Sequence, residues 1–530
     1  MILFTIRWQM KMALSEIVLL KSTLEIQNKP YSVKLTSSEI YWEVITSSRA
    51  VGGPYSEPLV KTESQSVKIN EIITVLLGSQ EAQYDGKFQN LEMVSLSPTM
   101  FSVWVLRRCH RHKWRDRKVT FTSKDTSVIQ QWVDKIQHII NRPEYNRPKS
   151  LLIFINPVGG RRTAVKVYRD KVAPLFDRAG ITTDVITTQR QNHARDTLLD
   201  YDLKRVDGYV SAGGDGMFTE LVHGLLTRTL KDTTGSPHPT PSTALPQPGL
   251  RIGIIPAGDS ISMDVGTVFH DNQFQKYNLS LCGYGFYGDC LIGSEHNRWM
   301  GPKRYDWEGF KKVVGLHVYE GEISYVPNPD KESHPRDGTF CKSGCTVCQS
   351  VFVETPEGNN ALDVSDREKQ VHRIRGRFVA INSFLISCRC HFSPEGPAPA
   401  AHLGDGCADL VIIKECSRFD YVRQLFRCTK KSEDQFNFDF VQVVRIKEFQ
   451  FRPLVDEIDD TVDGGDNKMA SQQRLRSRTN LNSVWNCDGE LVEEPAIDYK
   501  VHRQIVPLFA RGIEDEVHGQ DICCTSCVKS

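Results

Sequence analysis

The run Leu151-Leu-Ile-Phe-Ile-Asn-Pro-Val-Gly-Gly160 decides the fold of the central part of this 530-residue chain. Its five consecutive apolar residues are typical of a strand that is covered on both faces, as in a parallel sheet. A polar turn follows directly, and apolar residues then recur at helical spacing between Ala164 and Phe176. A strand, a glycine-bearing turn and a helix in this order predict the first unit of an open α/β sheet.

Two more strands of this region lead into glycine-bearing turns. Gly208-Tyr-Val-Ser211 precedes Ala212-Gly-Gly-Asp-Gly216, and Arg251-Ile-Gly-Ile-Ile255 precedes Pro256-Ala-Gly258. Ligands of open α/β sheets bind outside the carboxyl ends of the strands, so we expect all three turns at one edge. Glycine lets backbone N–H groups approach a phosphate closely, and a following helix adds its positive end. A phosphate site is favoured over turns in which glycine only relieves crowding, and no P-loop motif is present.

The amino-terminal region has a different pattern. Tyr31-Ser-Val-Lys-Leu35 and Phe101-Ser-Val-Trp-Val105 alternate as half-buried antiparallel strands do, and from Ser127 the period becomes helical. Between two strands, the segment Arg107–Lys118 holds seven Lys or Arg residues, two His and one acid. It is either a contact for phosphoinositides or anionic membranes or a solvated hairpin tip. Nucleic acid is not expected, because neither a recognition helix nor a stacking motif accompanies the charge.

Length and composition indicate a folded protein of two to four domains. The 66 Lys and Arg residues balance 65 Asp and Glu residues, so net charge selects no partner. We see no secretory signal and no run of about 18 apolar residues, and therefore expect a cytoplasmic protein. We place the domains at 1–145, 149–265 and 266–515, the last β-rich with loops at 330–370 and 456–482, followed by a tail at 516–530.

Several blocks resemble the diacylglycerol kinase and sphingosine kinase superfamily, and within it they are most similar to the ceramide kinase family. These blocks are Asn156-Pro-Val-Gly-Gly160, Gly213-Gly-Asp-Gly-Met-Phe-Thr-Glu220, Ile254-Ile-Pro-Ala-Gly258, Gly283-Tyr-Gly-Phe-Tyr-Gly-Asp289, Ala400-Ala-His-Leu-Gly-Asp-Gly406 and Asp488-Gly-Glu490. The resemblance implies a pleckstrin-homology-like β-barrel with a carboxyl-terminal helix, an α/β nucleotide-binding domain and a β-rich lipid-binding domain. It also implies ATP-dependent phosphorylation of ceramide, with diacylglycerol or sphingosine as alternative substrates.

Asp215 is the candidate general base, since phosphoryl transfer needs a group that accepts the hydroxyl proton. An N-cap role for Asp215 is the alternative. By resemblance, the nucleotide site comprises Asn156, Pro157, Val158, Gly159, Gly160, Thr188, Gln189, Arg190, Gln191, Asn192, Glu220, Arg251, Pro256, Ala257, Gly258, Asp488, Gly489 and Glu490. The substrate site comprises Gly213, Gly214, Asp215, Gly216 and Asp289.

The same resemblance implies Mg²⁺ near Asp488 and Glu490, directly or through water. It leaves open a dependence on Ca²⁺ or calmodulin, and it implies peripheral association with Golgi and plasma membranes. The 15 cysteines occur without an export signal, so reduced thiols or a metal site are favoured over disulfides. Cys341, Cys345 and Cys348 have a spacing that lets thiolates converge on a structural metal, and Cys388, Cys390 or His391 are candidates for a fourth ligand.

The sequence departs from the family pattern after Gly258. Relatives have a polar turn, a helix and a strand before the Met-Asp-Val block, whereas here five residues separate Gly258 from Asp264. That is too few for a crossover between parallel strands. Arg161 and Arg162 also replace Gly and Lys of the pattern. We therefore expect weakened ATP affinity, and the alternative function is that of a catalytically silent lipid-binding protein.

Overall fold

The computed structural model describes residues 17–45, 64–78, 99–110, 113–158, 162–254, 260–301, 303–328, 333–349, 371–390, 392–431, 433–454 and 482–510. Most of the loops predicted at 330–370 and 456–482, and the tail, lie outside these residues. By its internal contacts the chain forms two compact units. Of the described residues, the first unit contains those up to Leu151 together with Lys166–Asp184, and the second contains Leu152–Val165 and those from Val185 onward.

The first unit is built on a seven-stranded sheet in the order β4-β3-β2-β1-β7-β6-β5. Its strands are β1 (Leu20–Ile26), β2 (Lys29–Leu35), β3 (Glu39–Val44), β4 (Ser64–Lys68), β5 (Ile72–Leu77), β6 (Met100–His110) and β7 (Lys113–Thr122). The predicted helix is α1 (Thr126–Ile140), whose N-terminus is capped by the Asp125 carboxylate accepting from the N–H of Ser127. Trp132 of α1 is fully buried and stacks on Phe101 with ring centroids 6.3 Å apart.

The basic segment Arg107–Lys118 forms the β6–β7 hairpin. The two strands pair antiparallel, with Arg107 opposite Arg115, and residues 111–112 lie outside the described residues. Cations directly opposite one another repel, which costs stability unless an anion is close. On the same two strands, Asp116 of β7 accepts from the Arg178 guanidinium at 3.0 Å, and this guanidinium lies 4.3 Å from the ring centroid of Trp104 of β6.

The α/β series that the sequence predicted is present. It comprises β8 (Ser150–Ile155), α2 (Ala164–Val167), a π-helical turn (Tyr168–Val172), α3 (Ala173–Arg178), β9 (Thr182–Thr187), α4 (His193–Asp200), β10 (Gly208–Ala212), α5 (Asp215–Thr234) and β11 (Arg251–Ile254). Its residues up to Leu151 and Lys166–Asp184 belong to the first unit, and the others belong to the second. Apolar residues of β8, α4, α5 and β10 share one core cluster. β10 and β11 pair in parallel, so their carboxyl ends lie at the same edge.

The rest of the second unit is mostly antiparallel sheet. Its elements are β12 (Ser260–His270), β13 (Gln273–Asn278), β14 (Leu281–Gly285), α6 (Phe286–His296), α7 (Lys303–Val314), β15 (Tyr319–Pro327), α8 (Thr346–Gln349), β16 (His372–Phe384), β17 (Ala408–Lys414), α9 (Arg418–Arg427), β18 (Val441–Pro453), β19 (Trp485–Cys487), β20 (Glu490–Val492) and β21 (Ile497–Phe509). This confirms the predicted fold class. None of the described helices is both long enough and apolar enough to span a bilayer.

The short connection after β11 has a structural explanation. Leu508 of β21 pairs with Ile252 of β11 in parallel and with Ile261 of β12 in antiparallel register. β11 and β12 therefore run in opposite directions on the two sides of β21, and no parallel crossover is needed between them. Residues 255–259, which include the predicted Pro256-Ala-Gly258 turn, lie outside the described residues.

Candidate active site

Three segments with predicted site residues meet at the carboxyl edge of β9, β8 and β10. The Asn156 N–H donates to the carbonyl of Ala212 at 3.1 Å, which joins the turns after β8 and β10. The Thr188 N–H donates to the carbonyl of Ile155 at 2.9 Å, which adds the segment after β9. Gly159 and Gly160 lie outside the described residues. The edge arrangement predicted from the strand-and-turn pattern is therefore present for the turns after β8 and β10, and the segment after β9, which was assigned to the site by resemblance, joins them.

Glycine has two different roles in the turn before α5. A Cβ on Gly213 would lie 3.0 Å from Cβ of Met217 and 3.3 Å from Cβ of Asn156, so this position is tightly packed. A Cβ on Gly214 or Gly216 would meet no atom within 4 Å. The backbone of these two residues consequently borders open space at the N-terminus of a 20-residue helix, where N–H groups and the helix dipole favour an anion.

Asp215 is the first residue of α5, and its side chain is exposed at this edge. The N-cap residue is Gly214, which has no side chain to cap the helix. One Asp215 carboxylate oxygen accepts from the N–H of Gly216 at 2.9 Å. The structure therefore places Asp215 one position beyond the N-cap, with its carboxylate at the helix start.

Glu220 of α5 and Asn192 both lie at the start of the neighbouring helix α4. The Glu220 Oε1 atom accepts from the N–H groups of Ala194 at 2.8 Å and Arg195 at 3.4 Å, so Glu220 caps the start of α4. Asn192 precedes α4 in a left-handed conformation with φ of 61°. Capping of a neighbouring helix was not foreseen from the sequence, because the acceptor and its donors are 26 residues apart.

A pocket of about 450 Å³ lies beside α4 and α5. Three residues predicted for the nucleotide site, Asn192, Glu220 and Glu490, line it. Lys276 of β13 also lines it and forms an ion pair with Glu490, with 9% of the lysine side chain exposed. The sequence reasoning missed Lys276, although a single lysine inside the strand Gln273–Asn278 was a weak signal.

Burial lowers the pKa values of two basic side chains that line this pocket. It lowers the pKa of Lys276, and it lowers the pKa of His223 to about 3 with a further contribution from Lys276. The His223 Nε2 atom lies 3.0 Å from the carbonyl of Tyr277. His223 is therefore neutral at physiological pH, and Lys276 and Arg195 are the basic side chains lining the pocket.

Three family models match successive parts of the chain. The Ceramide kinase PH domain matches residues 20–136, the Diacylglycerol kinase catalytic domain matches residues 150–264, and the Ceramide kinase C-terminal domain matches residues 281–528. Ceramide kinase of Homo sapiens is 40% identical over 486 residues, which cover 85% of this chain and 89% of that protein.

The chain belongs to the ceramide kinase family.

Other relatives agree with this assignment. Ceramide kinase of Mus musculus is 38% identical over 490 residues, covering 86% of this chain and 91% of its own. The Homo sapiens Ceramide kinase-like protein is only 24% identical, although it covers 95% of this chain and 92% of its own. The resemblance inferred from short motifs is therefore confirmed over most of the chain.

In this member of the ceramide kinase family, the Asp488 carboxylate is occupied by protein donors. It accepts from the backbone N–H groups of Leu279, Ser280 and Leu281 at 2.6–3.1 Å, from the Ser280 hydroxyl at 2.6 Å and from the Asn278 amide at 3.0 Å. Burial raises the pKa of Asp488, and these hydrogen bonds oppose the rise. An ionised carboxylate offers about four lone-pair sites, so five donors leave no room for a directly bound metal.

Two other predicted residues lie apart from the carboxyl edge. Arg251 begins β11 opposite Gly208, which is the amino end of β10, and its guanidinium lies 4.4 Å from the ring centroid of Phe509. Asp289 lies on α6, where it is 7% exposed and accepts from the hydroxyls of Tyr319 at 2.7 Å and Ser483 at 2.6 Å. The structure therefore does not bring Arg251 to the turns that follow the strands.

Gly283-Tyr-Gly-Phe-Tyr-Gly288 has the spacing of a dinucleotide-binding fingerprint, but its glycines are packing positions. A Cβ on Gly285 would lie 2.4 Å from the carbonyl oxygen of Val379, and one on Gly288 would lie 1.9 Å from that of Val484. The strand before this turn pairs antiparallel with β16 and β19. A pyrophosphate has no access to a backbone packed in this way.

The predicted cysteine group is present with a different fourth member. Cys341, Cys345 and Cys348 lie together with His402, and their ligand atoms are all within 4.8 Å of one another. Cys388 and Cys390 are not part of this group, and His391 lies outside the described residues. His402, rather than Cys388, Cys390 or His391, is therefore the candidate for the fourth ligand. No local sequence pattern indicated this, because His402 is far from the three cysteines along the chain.

We expect Asp488→Ala to lower the unfolding temperature. The substitution leaves the N–H groups of the 279–281 turn without their acceptor, at about 1–3 kcal/mol for the donor of the buried Leu279 and less for the half-buried Ser280 and Leu281. Scanning calorimetry measures the loss. Glu493→Ala, an exposed glutamate near the end of β20, is the control and is expected to unfold like the unchanged protein. An unaltered unfolding temperature in Asp488→Ala would contradict the structural role.

Proposed function

We propose that this protein transfers the γ-phosphoryl group of ATP to the primary hydroxyl of ceramide, giving ceramide 1-phosphate, with Asp215 as the general base. The observation that carries this proposal is the exposed Asp215 carboxylate at the N-terminus of α5, beside the open backbone of Gly214 and Gly216. Phosphoryl transfer is achieved mainly by positioning and by neutralising charge on the phosphates. This helix start offers an anion site and a proton acceptor within one turn.

Different groups of the chain bind the phosphates and accept the hydroxyl proton. The backbone N–H group of Gly214 holds the transferred phosphoryl group, while that of Gly216 donates to Asp215, and the α5 dipole stabilises the phosphoryl charge. Asp215 accepts the proton of the ceramide hydroxyl as the oxygen attacks. The Arg162 side chain, next to the turn after β8, replaces a family Gly or Lys and is proposed to meet the same phosphates.

We place the rest of the nucleotide in the pocket lined by Asn192, Glu220 and Glu490. Glu220 is five residues beyond Asp215 on α5, which is about 7.5 Å along a helix axis, and this distance suits a triphosphate reaching towards the base. Lys276 supplies positive charge at the pocket wall. A divalent cation bound with ATP neutralises phosphate charge, and the partly exposed Glu490 is the residue proposed to contact it through water.

The lipid is proposed to bind near α6. Asp289 is fixed there by the hydroxyls of Tyr319 and Ser483, and Phe286 and Tyr287 stand on the same helix as apolar walls. Ceramide is favoured over diacylglycerol and sphingosine because of the match to the ceramide kinase carboxyl-terminal family model. A catalytically silent form is not favoured, because identity to ceramide kinase is 40% and to the ceramide kinase-like protein 24%.

The first unit is proposed to recruit the enzyme to membranes. It matches the ceramide kinase PH family model, and its β6–β7 hairpin presents Arg107, Arg115, Arg117 and Lys118 on adjacent strands. Such a group of cations favours anionic headgroups, phosphoinositides above all. Peripheral association with Golgi and plasma membranes is the location that the family resemblance implies.

Asp215→Asn is expected to reduce phosphate transfer by about 10²- to 10⁴-fold, because the amide does not accept the hydroxyl proton. Transfer of radiolabelled phosphate to ceramide, diacylglycerol and sphingosine in parallel measures both the loss and the preferred lipid. Asp232→Asn, at the far end of the same helix, is the matched control and is expected to stay active. Equal labelling of the three lipids would contradict the ceramide assignment, and a fully active Asp215→Asn would contradict the base.

Lys276→Met is expected to weaken ATP binding roughly 10- to 100-fold, since a charge-assisted hydrogen bond is worth about 1.5–3 kcal/mol. Titration calorimetry with Mg²⁺ and ATP measures the dissociation constant. Lys447→Met, an exposed lysine of β18, is the control and is expected to bind as the unchanged chain does. For the unchanged chain, the missing family segment after Gly258 predicts weaker than micromolar affinity, and micromolar binding would contradict that expectation.

Arg107→Glu with Arg115→Glu is expected to remove most binding to anionic vesicles, because a positive pair becomes a negative one. Sedimentation with phosphatidylcholine vesicles, with and without phosphoinositide, measures the bound fraction at fixed salt. Lys21→Glu with Lys124→Glu makes the same charge change at exposed positions of the same unit and is expected to bind nearly normally. If both double variants lose binding equally, general charge rather than the hairpin is responsible.

A further inference from the structure

The cluster of Cys341, Cys345, Cys348 and His402 lies in the β-rich part of the second unit, and none of its four members lines the pocket beside α5. Cys341, Cys348 and His402 are buried, with 3%, 8% and 1% of their surface exposed. Their ligand atoms and that of Cys345 lie within 4.8 Å of one another. We propose that these four side chains bind one structural zinc ion.

Two of the distances between ligand atoms are close to those around a single tetrahedral ion. The sulfurs of Cys341 and Cys348 are 3.7 Å apart, and two thiolates on one zinc, each about 2.3 Å from it, lie about 3.8 Å apart. The Cys345 sulfur is 3.3 Å from Nδ1 of His402, close to the roughly 3.6 Å expected for a sulfur and a nitrogen on one zinc. A disulfide needs a separation of about 2.05 Å, so neither pair is bonded.

The local backbone presents the sulfurs to one point. Gly344 adopts a left-handed conformation with φ of +73°, which turns the chain between the first two cysteines. Cys345 directly precedes α8 and Cys348 is the third residue of that helix, and side chains at this spacing lie close together on a helical turn. Two cysteines on one helical turn and a third beyond a tight turn are typical of structural zinc sites.

Two backbone N–H groups that follow His402 in the sequence donate hydrogen bonds to the cysteine sulfurs. The N–H of Leu403 donates to the Cys341 sulfur at 3.5 Å, and the N–H of Gly404 donates to Cys348. Hydrogen bonds of this kind stabilise thiolates and orient the ligands of metal sites. The segment that supplies the histidine thus also supplies the supporting N–H groups.

The chemistry of the four ligands favours zinc. Three thiolates and one imidazole form one of the common structural zinc sets. Iron–sulfur clusters are usually held by four cysteines around several iron atoms, whereas here the ligand atoms surround a space for one ion. Without an ion, the cluster would hold two buried thiols, one half-buried thiol and a buried imidazole that have only weak hydrogen bonds among themselves.

The ion would fasten a loop to two strands of the second unit, β12 and β21. The Gln504 amide of β21 donates to the carbonyls of Cys348 at 2.6 Å and Gly404 at 2.7 Å. The Asp264 N–H of β12 donates to the carbonyl of Leu403 at 2.9 Å. Zinc would therefore join residues 341–348 and 402–404 to β12 and β21, which gives it a role in stability separate from the chemistry of phosphoryl transfer.

The metal content of the full-length chain tests this proposal. The protein is purified without a histidine tag or chelator, exposed to ZnCl₂, freed of unbound metal by gel filtration and analysed by mass spectrometry for zinc and iron. We expect about one zinc per chain. X-ray absorption at the zinc edge is expected to show three sulfurs at about 2.3 Å and one nitrogen at about 2.0–2.1 Å. Far less than one zinc, iron in its place, or a shell without sulfur would overturn the proposal.

Variants assign the ligands. His402→Ala and Cys345→Ser are expected to weaken zinc affinity by more than the ~10-fold that loss of a supporting partner costs, and to lower the unfolding temperature. Cys390→Ser, which changes an exposed cysteine, is the control and is expected to keep one zinc. Loss of zinc in Cys390→Ser, or full retention in both ligand variants, would overturn the assignment. If a ligand variant does not fold, the absorption spectrum of the unchanged chain still decides the ligand set.

Discussion

The pairing of β21 is the constraint on which the second unit depends. This strand of 13 residues pairs in parallel with β11 and antiparallel with β12 and β18. One strand therefore joins the α/β sheet to the antiparallel sheet, so that a single hydrogen-bonded surface runs through both. The pocket beside α5 depends on this joint, because Glu220 comes from the α/β part and Lys276 and Glu490 come from the antiparallel part. If a flexible linker joined the two sheets instead, the distances between these three side chains would not be fixed.

The fold and the phosphate edge were predictable because their signals are local. A continuous apolar run, a turn with glycine and a change of period together specify β8 and its neighbours without knowledge of distant residues. Parallel pairing then places successive turns at one edge, which Asn156 and Thr188 occupy in the structure. The first unit was predictable for the same reason, since alternation in β2 and β6 and the helical period of α1 are visible within short windows.

The missed or altered roles belong to residues whose partners are distant in sequence. Asp488 accepts from a turn about 210 residues earlier, and its Asp-Gly-Glu motif gave no indication of these donors. Lys276 is separated from Glu490 by a similar distance, and His402 is 57 residues from Cys345. Arg251 was misplaced for a different reason, since strand direction decides which end of β11 borders the ligand edge. The helix and strand preferences of short segments do not predict any of these contacts between residues that are distant in sequence.

The environments of the acidic residues separate structural from chemical roles. A general base must be reachable by its substrate, and it must have a carboxylate oxygen that protein donors have not taken. Asp488 fails the second condition because five donors surround it, whereas Glu220 and Asp215 each give one carboxylate oxygen to backbone N–H groups. Asp289 is buried between two hydroxyls that hold it in place. Asp215 is exposed, stands at the positive end of a long helix and borders glycines that leave open space. Exposure at the start of a long helix, beside glycines that leave open space, thus makes Asp215 the acidic residue that best fits the proposed role of general base.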